Sequence, residues 1–407
     1  MNFRISTSAN VLINVVRYGS SHTNVYGAGL VASGSLFSME RVKAANNHLL
    51  QFRKPTNVIY FLSKNIQKIA AGFGFSVFAS KDRLYGGGVN IFSNDIDPTS
   101  ANDADYWRRG RSLPIDSLSD EIIGISAGRR HFLVGTKSEV YAFGDNAHGQ
   151  CGFDPAIHRF LKLKNLKSCK IDLPSKSPVK QVHCTLDTSF ILLESGELYS
   201  FGLGTDGQLG RSAAVRDWHC LPVECNFDGS LPIAISGSTD TLCLVTEAGS
   251  LFMWGQNEYE QMSLFTNEIQ VTYPIKISLG GVGKIVAADT TATSCIILNS
   301  AGEVYTWGFG VIGHGPIMNS LKRPMQLHSN LFIGCPTDQG KVQKIFAGNT
   351  SMFALTKENA LFGWGINRFS HIGLDNDKDQ YFPRLLSLYG TLVDLSVAPD
   401  HTLFLTK

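Results

Sequence analysis

Seven times along the chain a strand-like apolar run closes with an aromatic residue, two variable residues and a glycine. The copies are Tyr26–Gly29, Tyr85–Gly88, Tyr141–Gly144, Tyr199–Gly202, Phe252–Gly255, Tyr305–Gly308 and Phe362–Gly365, their glycines 59, 56, 58, 53, 53 and 57 residues apart. A period this regular marks a repeat architecture. Each copy after the first follows a second apolar run, such as 69–80, 125–136, 182–193 and 345–356, rich in the β-branched and aromatic residues that favour strands. Short polar turns such as Glu194–Glu197 and Glu247–Ser250 join the two, with glycine supplying the positive φ of a hairpin.

The phase of the two patterns carries the topology. The first aromatic–glycine strand has no run before it, and the last run, 395–406, has no aromatic–glycine strand after it. One orphan at each end predicts a closed ring of seven blades, in which Tyr26–Gly29 pairs with Leu403–Thr406 and the terminal edges vanish by mutual pairing. The expected fold is all-β, a closed seven-bladed β-propeller over 23–407 that counts as a single domain. The connectors 89–121 and 153–181 are the longest and most polar, and each is expected to carry an outer strand and a surface loop.

Composition agrees with many short strands and tight turns: 40 glycines, 43% hydrophobic and only 17% charged residues in 407. A net charge of +2 gives no whole-protein argument for nucleic acid. The eight cysteines include no C-x-x-C pair and no zinc-site spacing, and read as buried or inert thiols of a reducing compartment. No apolar run approaches the roughly 18 residues of a membrane helix. The first acid is Glu40; before it stand Arg4, Arg17 and many Ser, Thr and Asn residues. Residues 1–22 therefore have the character of a mitochondrial transit segment, the other reading being a frayed polar terminus.

Signatures of covalent chemistry fail. Gly280–Lys284 lacks both ends of a phosphate loop, and neither a G-x-S-x-G elbow nor an H-E-x-x-H zinc pair occurs. No metal site and no cofactor is expected, and a catalyst of covalent chemistry is not the leading reading. Two basic clusters interrupt the long connectors. Arg108, Arg109 and Arg111 follow Tyr106-Trp107, and Arg159, Lys162, Lys164, Lys167 and Lys170 interleave with Phe160, Leu161 and Leu163. Lysines with aromatics suit RNA phosphate and base stacking; a solvated loop is the plain alternative.

The repeat in full, AGxxH, an apolar strand, a turn, Tyr-x-Trp/Phe-Gly and GQLG, resembles the regulator of chromosome condensation repeat. Residues 127–152 (AGRRHFLVGTKSEVYAFGDNAHGQCG) and 198–210 (LYSFGLGTDGQLG) are the strongest copies, and GQLG has drifted at Glu260–Ser263 and Ser370–Gly373. The resemblance implies that Trp254, Trp307 and Trp364 fill space between blades, and that His131 and His401 sit buried against backbone. It also implies guanine-nucleotide exchange by a face built from the AGxxH loops, here Arg129, Arg130, His131, Asp187, Asp240, Asp289, Asp400 and His401. With its transit-like start the chain is similar to the mitochondrial branch of that family. That implies a dynamin-like GTPase of the inner mitochondrial membrane as partner, and a link to large-subunit ribosomal RNA and mitochondrial ribosome assembly. A non-catalytic scaffold for RNA or protein without exchange activity is the alternative, and no DNA partner is expected.

Overall fold

The computed structural model describes residues 22–37, 51–81, 83–88, 110–113, 118, 120–163, 166–211, 214–262, 264–337 and 339–407, with the side chain of Lys167 excepted. Residues 1–21 of the expected transit segment, together with Arg108, Arg109 and Lys164, lie outside them. The described strands form seven four-stranded antiparallel sheets. Blades 1 to 6 occupy 68–112, 122–161, 179–222, 232–277, 285–327 and 342–385, each with its strands in chain order. Blade 7 joins Leu392–Val397 and His401–Thr406 to Asn24–Leu30 and Gln51–Asn57. The ring is the seven-bladed propeller that the phase of the repeats predicts.

The closing ladder differs from expectation in register. Tyr26 pairs with Phe404 and Gly29 with His401, while Asn24 meets Thr406. Tyr26–Gly29 therefore lies two residues nearer the turn than Leu403–Thr406. The cause is a rule repeated in every blade: the aromatic–glycine Gly stands opposite the residue that ends the AGxxH turn. Gly144 faces His131, Gly202 faces Thr188, Gly255 faces Thr241 and Gly365 faces Ser351. The 12- to 14-residue runs read as single strands are each two strands around that turn; 125–136, for instance, divides at Ala127 and His131.

Gly255 shows why glycine is required. Its φ is +95°, and a Cβ there would lie 2.0 Å from the carbonyl oxygen of Asp240. That close approach lets the next N–H, of Gln256, donate to the same carbonyl at 2.9 Å. The second strand of each blade from blade 2 on is buried along its full length. Both sheet faces are covered by neighbouring blades, so the sequence reads as an unbroken apolar run instead of an alternation. Trp254 and Trp307, fully or almost fully buried, donate their indole N–H to the carbonyls of Gln208 and Gln261 in the preceding blade at 2.9 and 2.7 Å.

The outer strands follow a second rule. Opposite the residue before the repeat glycine, three outer-strand residues oppose one, as where Met253 pairs with Ile275 and Gly255 with Val271. Of five such triplets among the described residues, Arg53-Lys54-Pro55, Thr272-Tyr273-Pro274, Lys322-Arg323-Pro324 and Tyr381-Phe382-Pro383 end in proline, and Trp218-His219-Cys220 of blade 3 does not. Proline and a bulge on an edge strand deny it to a further strand. Each bulge also packs on the GQLG loop of the blade before. A Cβ on Gly207 would come within 2.8 Å of Thr272 Cα. Where that glycine has drifted, the backbone keeps its left-handed form: Glu260 at φ +62° and Ser370 at φ +58°. Each also contacts the next blade, Glu260 with Lys322 at 2.7 Å and Ser370 with Gln51 at 2.9 Å.

Two outcomes follow for stability. Gly255→Ala should lose about 3 kcal/mol or more in urea unfolding, since positive φ and a backbone clash combine. Gly280→Ala, with nothing within 4 Å of the new Cβ, should change stability by less than about 0.5 kcal/mol. A chain begun at residue 22 should unfold cooperatively. One begun at residue 31, lacking the Asn24–Leu30 strand, should lose cooperative unfolding or melt at least roughly 10 °C lower in calorimetry. Equal melting of the two would refute closure by this strand.

Candidate functional site: the face of AGxxH turns

All seven turns between first and second strands open on one face, called upper here, around the mouth of a central channel of about 300 Å³ lined by the first strands of every blade. The residue preceding the one opposite each repeat glycine is Arg130, Asp187, Asp240, Thr293, Thr350 and Asp400 in blades 2 to 7, and Gly74 in blade 1. The repeat thus presents a ring of variable side chains on an invariant backbone turn. This is how a rigid scaffold carries recognition.

Blades 2 to 4 hold the densest charge. Arg129 Nη2 meets Asp187 Oδ2 of the next blade at 2.7 Å, and Arg130 lies 3.7 Å from Asp145. Burial raises the Asp187 carboxyl, against the pull of Arg129. Asp240 accepts from Gln208 Nε2 at 3.1 Å. Burial, then the charges of Asp206 and Asp187, push its carboxyl up to about 6. The arrangement is an acid-rich crescent in which Arg129 and Arg130 are already engaged by Asp187 and Asp145.

His131 and His401 are inside the wall and fully buried, as the resemblance implies, but they bond side chains where it implies backbone. His131 Nε2 lies 2.9 Å from Ser189 Oγ, which donates to the Gln150 carbonyl at 2.7 Å. Burial lowers the His131 ring to about 3. His401 spans the closure of the ring: Nε2 is 2.7 Å from Ser76 Oγ in blade 1, and Nδ1 is 3.0 Å from Asp400 Oδ1. Burial works against ionisation of Asp400, but His401 and the Gly74 N–H outweigh it and hold that carboxyl below its ordinary range. Aspartate, histidine and serine here stand in the hydrogen-bond order of a nucleophile triad. Ser76 and His401 are both sealed from solvent, so no substrate reaches the hydroxyl, and the set acts as a clasp. Neither histidine offers a surface to a partner.

Asp289 departs from its expected place. It stands in the first strand of blade 5, not in the turn, and lines the channel. Its carboxylate accepts from the N–H of Thr290 at 2.9 Å and from Ala347 of blade 6 at 2.7 Å. Ser126 accepts from the N–H of Cys184, and Ser396 from that of Ala71, in the same inter-blade manner at 2.8 and 2.9 Å. Enclosure by the ring raises the Asp289 carboxyl to about 7, despite those N–H donors. The true turn residue of blade 5 is Thr293. Counting back from the repeat glycine exposes the difference: Asp187 and Asp240 stand fifteen residues before Gly202 and Gly255, and Asp289 nineteen before Gly308.

Among the described residues the basic connector positions do not converge. Arg111 belongs to a two-residue outer strand of blade 1. Arg159 lies at the upper end of blade 2, where its carbonyl accepts from Asn146, and Lys170 lies at the lower end, paired with Glu139 at 2.6 Å. Lys162 falls between them, and Lys167 sits in a short 3-10 turn at 166–169.

The fold and its ring of turns define a propeller of the regulator of chromosome condensation type. Prp20p of Saccharomyces cerevisiae superposes with a TM-score of 0.77 at 16% identity over 95% of this chain and 91% of its own, a likeness of fold. The structure of human WBSCR16 superposes with a TM-score of 0.85 at 28% identity, covering 94% of this chain and all of that one. The human RCC1-like G exchanging factor-like protein is 31% identical over 364 residues, 85% of this chain and 77% of the relative. No protein-family model matches. The chain belongs to the RCC1-like G exchanging factor-like family.

The buried carboxylate in the wall makes a pH signature. Between about pH 4 and pH 7 folded Asp289 keeps a proton that the unfolded chain releases, so its contribution to stability falls as pH rises through that window and is constant above it. Denaturant unfolding at about pH 5 and about pH 8 should therefore show a smaller pH-dependent loss for Asp289→Asn than for the unsubstituted chain. Identical losses would remove Asp289 from this account.

Proposed function

We propose that this protein is a mitochondrial exchange-factor-like propeller that grips a GTPase with its upper face. The carrying observation is that Arg130, Asp187, Asp240 and Asp400 occupy equivalent turn positions on one face, with Arg129 paired to Asp187, where the backbone repeats and the side chains do not. Family membership supports the reading. Exchange needs no covalent chemistry: a protein that binds the empty GTPase better than the loaded one weakens nucleotide binding by the same factor. The resemblance of the sequence to the mitochondrial branch points to the dynamin-like fusion GTPase of the inner membrane as the partner, with a connection to assembly of the large ribosomal subunit. The transit-like character of 1–22 supports the location.

Release of labelled GDP from that purified GTPase should accelerate with the full-length protein, by roughly 5- to 150-fold for a coupling of ordinary size. Asp240→Asn, which keeps an acceptor for Gln208, should remove most of the acceleration with little change in melting temperature. No acceleration at saturating protein would reject exchange. Residues 1–30 fused to a reporter should direct it into mitochondria; a cytosolic reporter would reject the location. In the alternative of an RNA-bound scaffold, ribosomal RNA would crosslink near Arg159 and Lys162, with binding that falls steeply with salt.

A further inference from the structure

Blades 4 and 5 carry on the upper face a feature that the repeat does not require. Tyr259 follows the repeat glycine of blade 4 by four residues, and Phe309 follows that of blade 5 directly. Their rings stack across the blade junction at 6.1 Å, yet Tyr259 is 39% and Phe309 47% exposed. The repeat tryptophans Trp254, Trp307 and Trp364 are sealed between blades, whereas this stacked pair stands half in water. The loops to the outer strands extend the same apolar ground. Ile269 of blade 4 and Ile317 of blade 5 are 61% and 92% exposed, with Phe265 four residues before the first and Met318 directly after the second. In blade 6 the equivalent loop offers Asp375, Asp377 and Asp379 instead. Clustered exposed apolar residues on a folded chain mark an interaction surface.

Charge narrows the partner. Glu258 and Glu260 flank Tyr259, and Asp206 and Asp240 rise beside them from the turns of blades 3 and 4. Lys322 occupies Glu260 at 2.7 Å. Glu258 is exposed beside the aromatic pair, while Asp206 and Asp240 are partly covered and add negative charge behind it. Arginine and lysine suit both elements, through carboxylate pairing and through stacking on a ring face.

We infer that Tyr259 and Phe309 anchor a protein partner, which presents an apolar segment flanked by lysine or arginine to blades 4 and 5. The inference rests on the reading that the upper face receives a protein, and it locates the contact away from Arg129 and Arg130. The acids of the turns would steer the partner, and the aromatic pair would hold it. Aromatic anchors near the centre of a contact commonly dominate its affinity.

Site-specific photocrosslinking tests this. A benzoylphenylalanine is placed in the full-length chain at Tyr259, at Phe309, at Arg129, or at Ser300 on the opposite face, and crosslinked peptides from intact cells are sequenced. The expected result is one protein captured from 259 and 309 but not from 300, through a segment holding apolar residues next to Lys or Arg. Its co-purification should fall at least about 10-fold with Tyr259→Ala/Phe309→Ala, at unchanged melting temperature. No adduct at 259 and 309, or adducts only to acidic segments, would overturn the inference. A GTPase captured from 129 alone would overturn it while leaving the proposed function standing. A captured protein that is not a GTPase would keep the anchor and reject the exchange reading.

Discussion

The second strand of each blade is covered on both faces by its neighbours, so no blade can stand at the end of a row without exposing a sheet of leucine, valine and phenylalanine. Closure is the only arrangement that leaves no such end, and it falls to the pairing of Asn24–Leu30 with His401–Thr406. Everything on the upper face inherits its position from that ladder. The Asp400–His401–Ser76 clasp ties blade 7 to blade 1 through the buried His401 and Ser76, with Asp400 at the rim. Removing one member would leave the others unsatisfied in the wall, at a cost of about 1–3 kcal/mol.

Backbone and recognition are separated here in an unusually clean way. The repeat specifies the turn, its facing glycine and the inter-blade hydrogen bonds; it leaves the residue at the tip of each turn free. That freedom is why neighbouring blades offer arginine, aspartate and threonine from one backbone form. The separation has a limit in the loops that drifted. Glu260 and Ser370 hold a conformation natural to glycine, and each does so while bonded to the next blade, so a loop that lost its glycine became tied to a partner side chain.

Much of the architecture was legible because it depends on spacing. The glycine period, the orphan strand at each end and the buried indoles of Trp254 and Trp307 all follow from a pattern that packing enforces. Register was misjudged by two residues at the closure because apolar runs alone do not reveal which residue faces the glycine. Asp289 was misplaced for the same reason: an acid near a turn motif looks like a turn residue until its distance to the repeat glycine is counted. The Tyr259–Phe309 pair was not legible at all. Two aromatics fifty residues apart declare themselves only when the ring brings their blades side by side, and Phe309 directly after its repeat glycine stands where other copies carry Leu30, Val89, Asp145, Leu203, Gln256 and Ile366, so only its aromatic ring sets it apart.

The closing ladder also determines how the molecule answers to mechanical load. Asn24 and Thr406 are paired at the same end of an antiparallel ribbon, so a pull on the two chain ends reaches one hydrogen-bonded pair at a time. Such loading peels a ribbon like a zip; shear along the strands would engage all the pairs together. A translocating or degrading machine that seized either terminus would meet the ring at its weakest direction, and once Tyr26 parted from Phe404 and Gly29 from His401, blades 7 and 1 would lose their cover together. The device that makes the ring stable against heat is thus the one through which traction would dismantle it.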